Sequence, residues 1–295
     1  QNHRLHLGAS EIGKECLRAL WYSFRWATKK QFSGRILRLF ETGFKAEERF
    51  ISELKSIGVE IYDRDPETGR QHVFSLSTGH FGGSCDGIGR GFPEAPKTWA
   101  IVEFKTHSDK SFNSLVKDKV QKSKPEHYAQ MQVYMGMAEL DRALYLAVNK
   151  DNEELYSEWV KFDHSFFESL IKKAQRIINS PEPLERMSND PAWFQCKFCD
   201  HNEICHQGKI ANKNCRTCAF STPKDDGKWH CYIHKKVLSF SEQEKGCSDH
   251  LFIPPLISFA EVQDTGKGFV SYNTEDGKNI VNCSDQVKSE CFEGD

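Results

Sequence analysis

Apolar residues recur along this chain with two periods, and each period predicts one kind of element. Apolar positions three and four residues apart predict helices at 9–29, 35–57, 110–121, 125–140 and 163–179. Alternating apolar positions predict strands at 59–63, 71–76, 80–88, 98–105, 142–149 and 153–161. Helices interleaved with strands predict an α/β fold with a central mixed sheet flanked by helices.

The strand predicted at 98–105 carries an acid and a base among its apolar residues. Its period of two puts Ile101, Glu103 and Lys105 on one face. Val102 and Phe104 then point to the opposite face. The sequence therefore predicts a carboxylate and an ammonium group side by side on this strand.

Two further carboxylates extend this candidate site. Asp86 lies in the glycine-rich segment 82–87, whose backbone allows close approach by a ligand or another chain. Glu47 lies within the apolar stripe of the helix at 35–57, where an ionised carboxylate is costly unless a positive charge compensates it. A metal ion would do so. The alternative is that Glu47 lies at the edge of the stripe and pairs with a lysine.

The helix predicted at 125–140 contributes a fourth element. Gln130 and Tyr134 are one turn apart and share one face of it. They could position a nucleic acid or support Lys105. Ordinary helix packing is the alternative for this pair.

These residues fall into four motifs within about 90 residues. The motifs are G-x-x-x-E (Gly43 to Glu47), G-x-x-D (Gly83 to Asp86), E-x-K (Glu103 to Lys105) and Q-x-x-x-Y (Gln130 to Tyr134). Their order resembles the PD-(D/E)XK nucleases of the RecB type. The resemblance implies a restriction-endonuclease-like core and a metal-dependent exonuclease that hydrolyses phosphodiester bonds at DNA ends or in single strands.

The resemblance also implies a role for each motif residue. The implied catalytic residues are Glu47, Asp86, Glu103, Lys105, Gln130 and Tyr134. The implied ligands of Mg²⁺ or Mn²⁺ are Asp86, Glu103, the Phe104 carbonyl and, directly or through water, Glu47. Lys105 would orient the attacking water or stabilise the transition state.

A first cysteine group consists of one early and three late residues. Cys196, Cys199 and Cys205 follow the nuclease motifs, and Cys16 stands alone far upstream. This arrangement resembles the iron-sulfur nucleases, CRISPR-associated and AddB-type exonucleases, in which such a set holds a [4Fe-4S] cluster. The alternative is that Cys16 is a buried apolar thiol and that the other three bind zinc with His201 or His206.

A second cysteine group has the spacing of a structural zinc site. Its members are Cys215, Cys218, Cys231 and Cys247, and His234 or His250 could replace one of them. The predicted organisation is a nuclease domain at 1–209, a small Cys-rich zinc module at 210–252 and an extension at 253–295 with a β-hairpin at 269–282.

Composition narrows the picture further. Forty basic and forty-two acidic residues give a net charge of −2, so the chain has no global attraction for nucleic acid. A DNA groove would need a local basic patch, and a lysine-rich run offers one unless it is simply a solvated helix face. That run consists of Lys110, Lys117, Lys119, Lys122 and Lys124.

Cysteine usage and hydropathy predict where the protein resides. Eleven cysteines, most of them in two metal-type groups, indicate a reducing interior, and no apolar run is long enough to cross a membrane. We therefore expect a cytoplasmic protein. DNA and a recombination or repair protein are the implied partners. Alternatives to the exonuclease are a non-catalytic nucleic-acid-binding module with structural metals, and a PD-(D/E)XK endonuclease.

Overall fold

Helices and strands alternate through the first two thirds of the chain. The structure is a computed structural model and describes residues 3–29, 31–266, 268–274 and 277–283. Its helices are α1 (Leu17–Phe24), α2 (Gly34–Ser56), α3 (Asp109–Ser123), α4 (Pro125–Ala138), α5 (His164–Asn179), α6 (Phe194–Lys197), α7 (Asn202–His206) and α8 (Phe240–Lys245).

The strands form one large sheet and three small ones. They are β1 (Leu7–Gly8), β2 (Glu60–Tyr62), β3 (Val73–Ser75), β4 (Phe81–Ser84), β5 (Gly87–Arg90), β6 (Ala100–His107), β7 (Arg142–Asn149), β8 (Leu155–Lys161), β9 (Ser221–Pro223), β10 (Trp229–Cys231), β11 (Lys236–Leu238), β12 (Ala260–Gly266), β13 (Phe269–Thr274) and β14 (Asn279–Cys283).

The large sheet is mixed and has the order β2-β5-β6-β7-β8. Strands β6 and β7 run parallel, and the other three pairings are antiparallel. Helices α3 and α4 connect the parallel pair, as a crossover between parallel strands requires. The predicted α/β fold with a central mixed sheet flanked by helices is confirmed.

The two faces of β6 belong to two separate parts of the core. Ile101 packs in the cluster that contains residues of α1, α4 and α5. Val102 and Phe104 pack in the other cluster, against Phe50 and Leu54 of α2. Phe50 and Phe104 stack with their ring centroids 5.2 Å apart. The predicted alternation along this strand is therefore confirmed.

Helix α2 is only partly packed on the sheet, which corrects the prediction of a continuous buried stripe. Phe50 and Leu54 are buried, but Phe40 and Phe44 are 38% and 63% exposed. Neither exposed side chain belongs to an apolar cluster of the described residues, and Phe40 packs edge-on against Phe32 with ring centroids 5.2 Å apart. Glu47 is half-buried where the packed half begins.

Two other predicted elements also differ from the structure. The helix expected at 9–29 is confined to α1. Before it, Gly13 packs so closely on the start of α4 that a Cβ there would lie 2.5 Å from the Glu126 Cα. The strand expected at 80–88 is two strands, β4 and β5, in different sheets. Cys85 and Asp86 form the link between them, so the chain changes sheet at the predicted site.

The segment that carries the second cysteine group folds around the small sheet β11-β10-β9. Trp229 of this sheet is fully buried in the same apolar cluster as α1. Arg216 is also fully buried, lies 3.6 Å over the Trp26 ring and donates to the Phe24 and Leu5 carbonyls. This segment therefore packs tightly on the N-terminal part of the chain.

Beyond this segment, strands β12, β13 and β14 form an antiparallel sheet in which β13 and β14 pair across the predicted turn. Residues 275 and 276 of that turn, and residues 284–295 of the predicted extension, lie outside the described residues.

Candidate active site and cysteine groups

The change of sheet at Asp86 brings three of the predicted residues together. Because Gly87 pairs with Val102, Asp86 lies beside Glu103 and Phe104 on β6. The Phe104 N–H donates to Asp86 Oδ2 at 2.8 Å. Lys105 Nζ donates to Glu103 Oε1 and lies 3.9 Å from Asp86 Oδ2. One ammonium group thus bridges two carboxylates.

Glu103 is fully buried, and its second carboxylate oxygen has no protein partner. Oε1 accepts from Lys105, but Oε2 has no hydrogen-bond partner among the described residues. Burial raises the pKa of Glu103 to about 8; the Lys105 charge opposes the rise, and the Asp86 and Glu47 charges add to it. A buried, unpaired carboxylate oxygen is costly unless a ligand binds it.

Glu47 approaches the same point from α2. Burial and then the Asp86 charge raise the pKa of Glu47 to about 7, against a smaller opposing effect of Lys105. Within the described part of the chain, Glu47 forms no ion pair of its own, so the pairing expected from the lysine alternative is not formed. We call Glu47, Asp86, Glu103 and Lys105 the carboxylate site.

Lys105 keeps its charge despite its surroundings. Burial alone would lower the pKa of Lys105, but the charges of Glu103, Asp86 and Glu47 outweigh burial and raise it. The ammonium form is therefore held at neutral pH. When all three carboxyl groups are ionised, they leave an excess of negative charge around the one ammonium group, and a divalent cation would offset it.

Gln130 and Tyr134 lie on α4 above the carboxylate site. Gln130 Nε2 donates to the Tyr134 hydroxyl at 3.3 Å, and both side chains are buried. A Cβ on Gly83 would lie 2.6 Å from that hydroxyl, so only glycine allows the tyrosine to reach the segment before Asp86. Burial and the Glu103 charge raise the pKa of Tyr134, which stays a neutral donor.

These side chains fit a divalent cation. Carboxylate and carbonyl oxygens are the ligands that Mg²⁺ and Mn²⁺ prefer, and Glu103 Oε2 is a buried oxygen that needs a partner. A cation there would share Glu103 with Lys105 and approach Asp86 and Glu47. Such a cation would neutralise charge on a phosphate and acidify a bound water.

The structure places all members of the first cysteine group around one cavity of about 760 Å³. Cys16 caps α1, where its Sγ accepts from the Ala19 N–H. Cys196, Cys199 and Cys205 lie on and around α6 and α7. Cys16 is half-buried and lines the cavity, so it is not the isolated buried thiol of the alternative interpretation.

His201 does not complete this cysteine group. Its Nε2 and Nδ1 are 3.1 Å and 2.9 Å from the hydroxyls of Ser23 and Thr28. Both ring nitrogens are thus engaged away from the thiols. His206 also lines the cavity and keeps the zinc alternative open.

The second cysteine group surrounds a smaller cavity of about 280 Å³. Burial, followed by the other three thiols of the group, raises the pKa of Cys215 to about 12. Four thiols that disfavour one another's ionisation suit a cation that binds the thiolate form.

The two histidines near this second group differ in position. His250 Nε2 lies 3.1 Å from the Asn214 carbonyl and is turned to the backbone. In the described residues, one set of three ligand groups has all its donor atoms within 4.8 Å of one another, namely His234, Cys247 and Asp249. His234 is therefore better placed than His250 to replace a cysteine.

Three further residues lie beside the carboxylate site and were not predicted from the sequence: the buried His107 and Tyr145, and the half-buried His127. His107 continues the face of β6 that carries Glu103 and Lys105, and His127 precedes Gln130 by one turn. These two spacings are the sequence signals that could have predicted that both histidines lie near the site.

Comparisons with known proteins give structural likenesses only. Neither the scan against protein-family models nor the search of curated proteins finds a match. The chain is similar to the crystal structure of an alkaline exonuclease (LHK-Exo) from Laribacter hongkongensis, with 13% identity, a TM-score of 0.42, and coverage of 59% of this chain and 87% of that chain.

A second likeness is to a phage-related exonuclease from Haemophilus somnus 129PT, with 13% identity, a TM-score of 0.41, and coverage of 58% of this chain and 91% of that chain. Among the described residues, no helix combines the length and the apolar composition that a bilayer crossing requires.

Proposed function

We propose that this protein is a metal-dependent deoxyribonuclease that hydrolyses phosphodiester bonds at DNA ends or in single strands. The observation that carries the proposal is the buried, unpartnered Oε2 of Glu103, surrounded by Asp86, Glu47 and Lys105. A purely structural site would pair this oxygen with a protein donor. A ligand site leaves it for a cation.

Each residue of the carboxylate site has a distinct task in this proposal. Asp86, Glu103 and the Phe104 carbonyl would hold Mg²⁺ or Mn²⁺, with Glu47 as a further ligand directly or through water. The cation would supply Lewis acidity, lowering the pKa of a bound water and neutralising charge on the phosphate. The Phe104 N–H fixes Asp86, and Glu103 is held in place by complete burial and by Lys105.

Lys105 supplies a positive charge to the site in addition to that of the metal ion. Its ammonium group, held by Glu103 and close to Asp86, can donate to a non-bridging phosphate oxygen or orient the attacking water. This interaction strengthens as negative charge develops on the phosphate, so it favours the transition state over the bound substrate. Gln130 and Tyr134 brace this side of the site.

The two cysteine groups are architectural in this proposal. Hydrolysis transfers no electron, so neither metal group takes part in the reaction. The larger cavity, with four thiols and no histidine contribution from His201, supports a [4Fe-4S] cluster at the first group. The smaller cavity supports a single Zn²⁺ at the second group, with His234 as the alternative ligand.

Glu103→Gln tests the proposed function. The amide keeps the shape of the side chain but removes a metal-binding charge, so Mg²⁺-dependent cleavage of end-labelled single- and double-stranded DNA should fall by roughly a thousandfold or more. DNA binding in Ca²⁺ should persist, since Ca²⁺ supports binding but acidifies water poorly.

Glu168→Gln is the matched control, because Glu168 is exposed on α5 and distant from the proposed chemistry. It should cleave like wild type. Wild-type cleavage rates in Glu103→Gln, with contaminating nuclease excluded, would instead support a nucleic-acid-binding module with structural metals. Release of internal fragments before mononucleotides would identify an endonuclease.

A further inference from the structure

A chain of hydrogen bonds joins three side chains at the border of the carboxylate site. Tyr145 is fully buried and lies opposite Glu103 in the β6–β7 ladder. Its hydroxyl is 2.9 Å from His107 Nε2 and 2.9 Å from His127 Nδ1. His107 is two residues beyond Lys105 on the same face of β6. This chain of hydrogen bonds therefore begins beside the carboxylate site.

The direction of these hydrogen bonds decides what His127 offers to a ligand. Burial, followed by neighbouring lysine charges, lowers the pKa of His127 to about 3, and burial likewise lowers the pKa of His107 to about 4. Both imidazoles are thus neutral, and each carries one N–H. The Ser111 hydroxyl lies 3.1 Å from His107 Nδ1 and is placed to donate to it.

If the Ser111 hydroxyl donates to His107 Nδ1, the directions of the other hydrogen bonds are fixed. His107 Nε2–H donates to the Tyr145 oxygen, and the Tyr145 O–H donates to His127 Nδ1. The proton of His127 then resides on Nε2. The opposite direction would place this proton on Nδ1 and leave a lone pair at Nε2.

The Nε2 atom of His127 is available to a ligand. His127 precedes Gln130 and Tyr134 by three and seven residues, so all three share one face of α4. Nε2 forms no hydrogen bond with the described residues. This atom is also not fully buried, so a ligand can reach it. It is therefore an open donor on the side of α4 that faces the carboxylate site.

Lys124, at the start of α4, adds a charge to the same place. Lys124 is the N-cap of α4 and precedes His127 by three residues, one helical turn, and its charge contributes to the lowered pKa of both His107 and His127. Within the described chain Lys124 forms no ion pair, and burial lowers its own pKa. A half-buried ammonium group without a carboxylate partner favours an anionic ligand.

We propose that the His127 Nε2–H and the Lys124 ammonium group bind a backbone phosphate of the nucleic acid strand, next to the phosphate at the carboxylate site. This inference rests on the proposed nuclease function and specifies how the strand is held. The three carboxylates repel the phosphate backbone, and these two donors offset that repulsion on the α4 side. Tyr145 and His107 are positioning residues that act through His127.

Two isosteric variants of His127 separate this role from a structural one. The amide nitrogen of Gln reaches the place of Nε2, whereas that of Asn reaches the place of Nδ1. Binding of a short fluorescein-labelled single-stranded DNA in Ca²⁺ is measured by anisotropy. We expect His127→Asn to weaken binding about tenfold and His127→Gln to remain within about twofold of wild type.

Lys124 and the proton position give independent readouts. Lys124→Gln should reduce the slope of log affinity against log salt by about 0.7, the value for one phosphate contact on a single strand. In ¹⁵N NMR spectra of the wild-type protein without Mg²⁺, the His127 proton should be on Nε2. Thermal unfolding of each variant verifies that it is folded.

Equal DNA affinity of the Asn and Gln variants, an unchanged salt slope, or a proton on Nδ1 would overturn the phosphate site. The nuclease function has its own test in Mg²⁺. Wild-type protein that cleaves DNA while His127→Asn binds normally defeats this inference alone. Wild-type protein that shows the expected binding pattern but never cleaves defeats the nuclease function alone.

Discussion

At the scale of single residues, the carboxylate site is set by how protons and cations compete for the same oxygens. Glu103 and Glu47 have pKa values of about 8 and about 7, and burial is the first cause of both shifts. In the unfolded chain both groups have their ordinary pKa of about 4.5. A bound cation must therefore displace protons at neutral pH.

The sign of the resulting pH dependence follows from linkage. Below pH 6.5 the lowered pKa values of His107 and His127 oppose the effect of Glu103 and Glu47, because those imidazoles bind protons more readily in the unfolded chain. From pH 6.5 to about 8 the two glutamates make the folded protein bind more protons than the unfolded chain, so their contribution to stability without metal falls as pH rises. Thermal unfolding in EDTA should show a Tm that declines from pH 7 to 8.5, by at least about 2 °C.

Mg²⁺ should reverse that decline, because it binds the ionised carboxylates. The Tm gain on adding Mg²⁺ is expected to be larger at pH 8.5 than at pH 6. Glu103→Gln cannot ionise at this position and should flatten both trends. A Tm gain from Mg²⁺ that is the same at all pH values in wild type would show that the cation binds elsewhere.

At the scale of elements, α2 serves two purposes along its length. Its second half packs on the sheet through Phe50, which stacks on Phe104, the residue between Glu103 and Lys105. Its first half exposes Phe40 and Phe44. Glu47 lies at the junction, so the packing of Phe50 fixes the distance of this carboxylate from the site.

Two phenylalanine variants test this division of α2. Phe50→Ala should cost about 3–5 kcal/mol, because it leaves a cavity against Phe104, whereas Phe44→Ala should change the free energy of unfolding by less than about 0.5 kcal/mol. Urea unfolding measures both. A large loss for Phe44→Ala would mean that the first half of the helix is packed.

At the scale of the whole molecule, the two cysteine groups join distant parts of the chain. Cys16 caps α1, and its partners follow α5, so a cluster there would close almost the entire nuclease part into one loop. The second group lies in a segment that shares Trp229 with the main apolar cluster. Metal binding at either cysteine group is therefore expected to affect the stability of the same apolar core.

The metal content distinguishes the proposed assignments. Protein purified anaerobically should be brown and contain about four irons and one zinc per chain. Cys199→Ser should lose iron and retain zinc, and Cys215→Ser should lose zinc and retain iron, because each variant opens one group only. Colourless wild-type protein with two zincs and no iron would refute the cluster.

Features that are set by residues close together in the sequence could be predicted from the sequence alone. Glu103 and Lys105 share one face of β6 because side chains alternate along any strand, and Gln130 and Tyr134 share one face of α4 because of the helical repeat. The order of helices and strands, and with it the α/β class, follows from the same local periods.

Tertiary structure alone decided the features that depend on contacts between distant segments. Asp86 reaches Glu103 because the chain changes sheet there, and a local pattern cannot distinguish this from one continuous strand. Phe40 and Phe44 of α2 stay exposed because neither joins an apolar cluster of the described residues. His107, Tyr145 and His127 meet because α4 crosses β6 and β7, and only that packing turns three separate residues into one hydrogen-bonded chain.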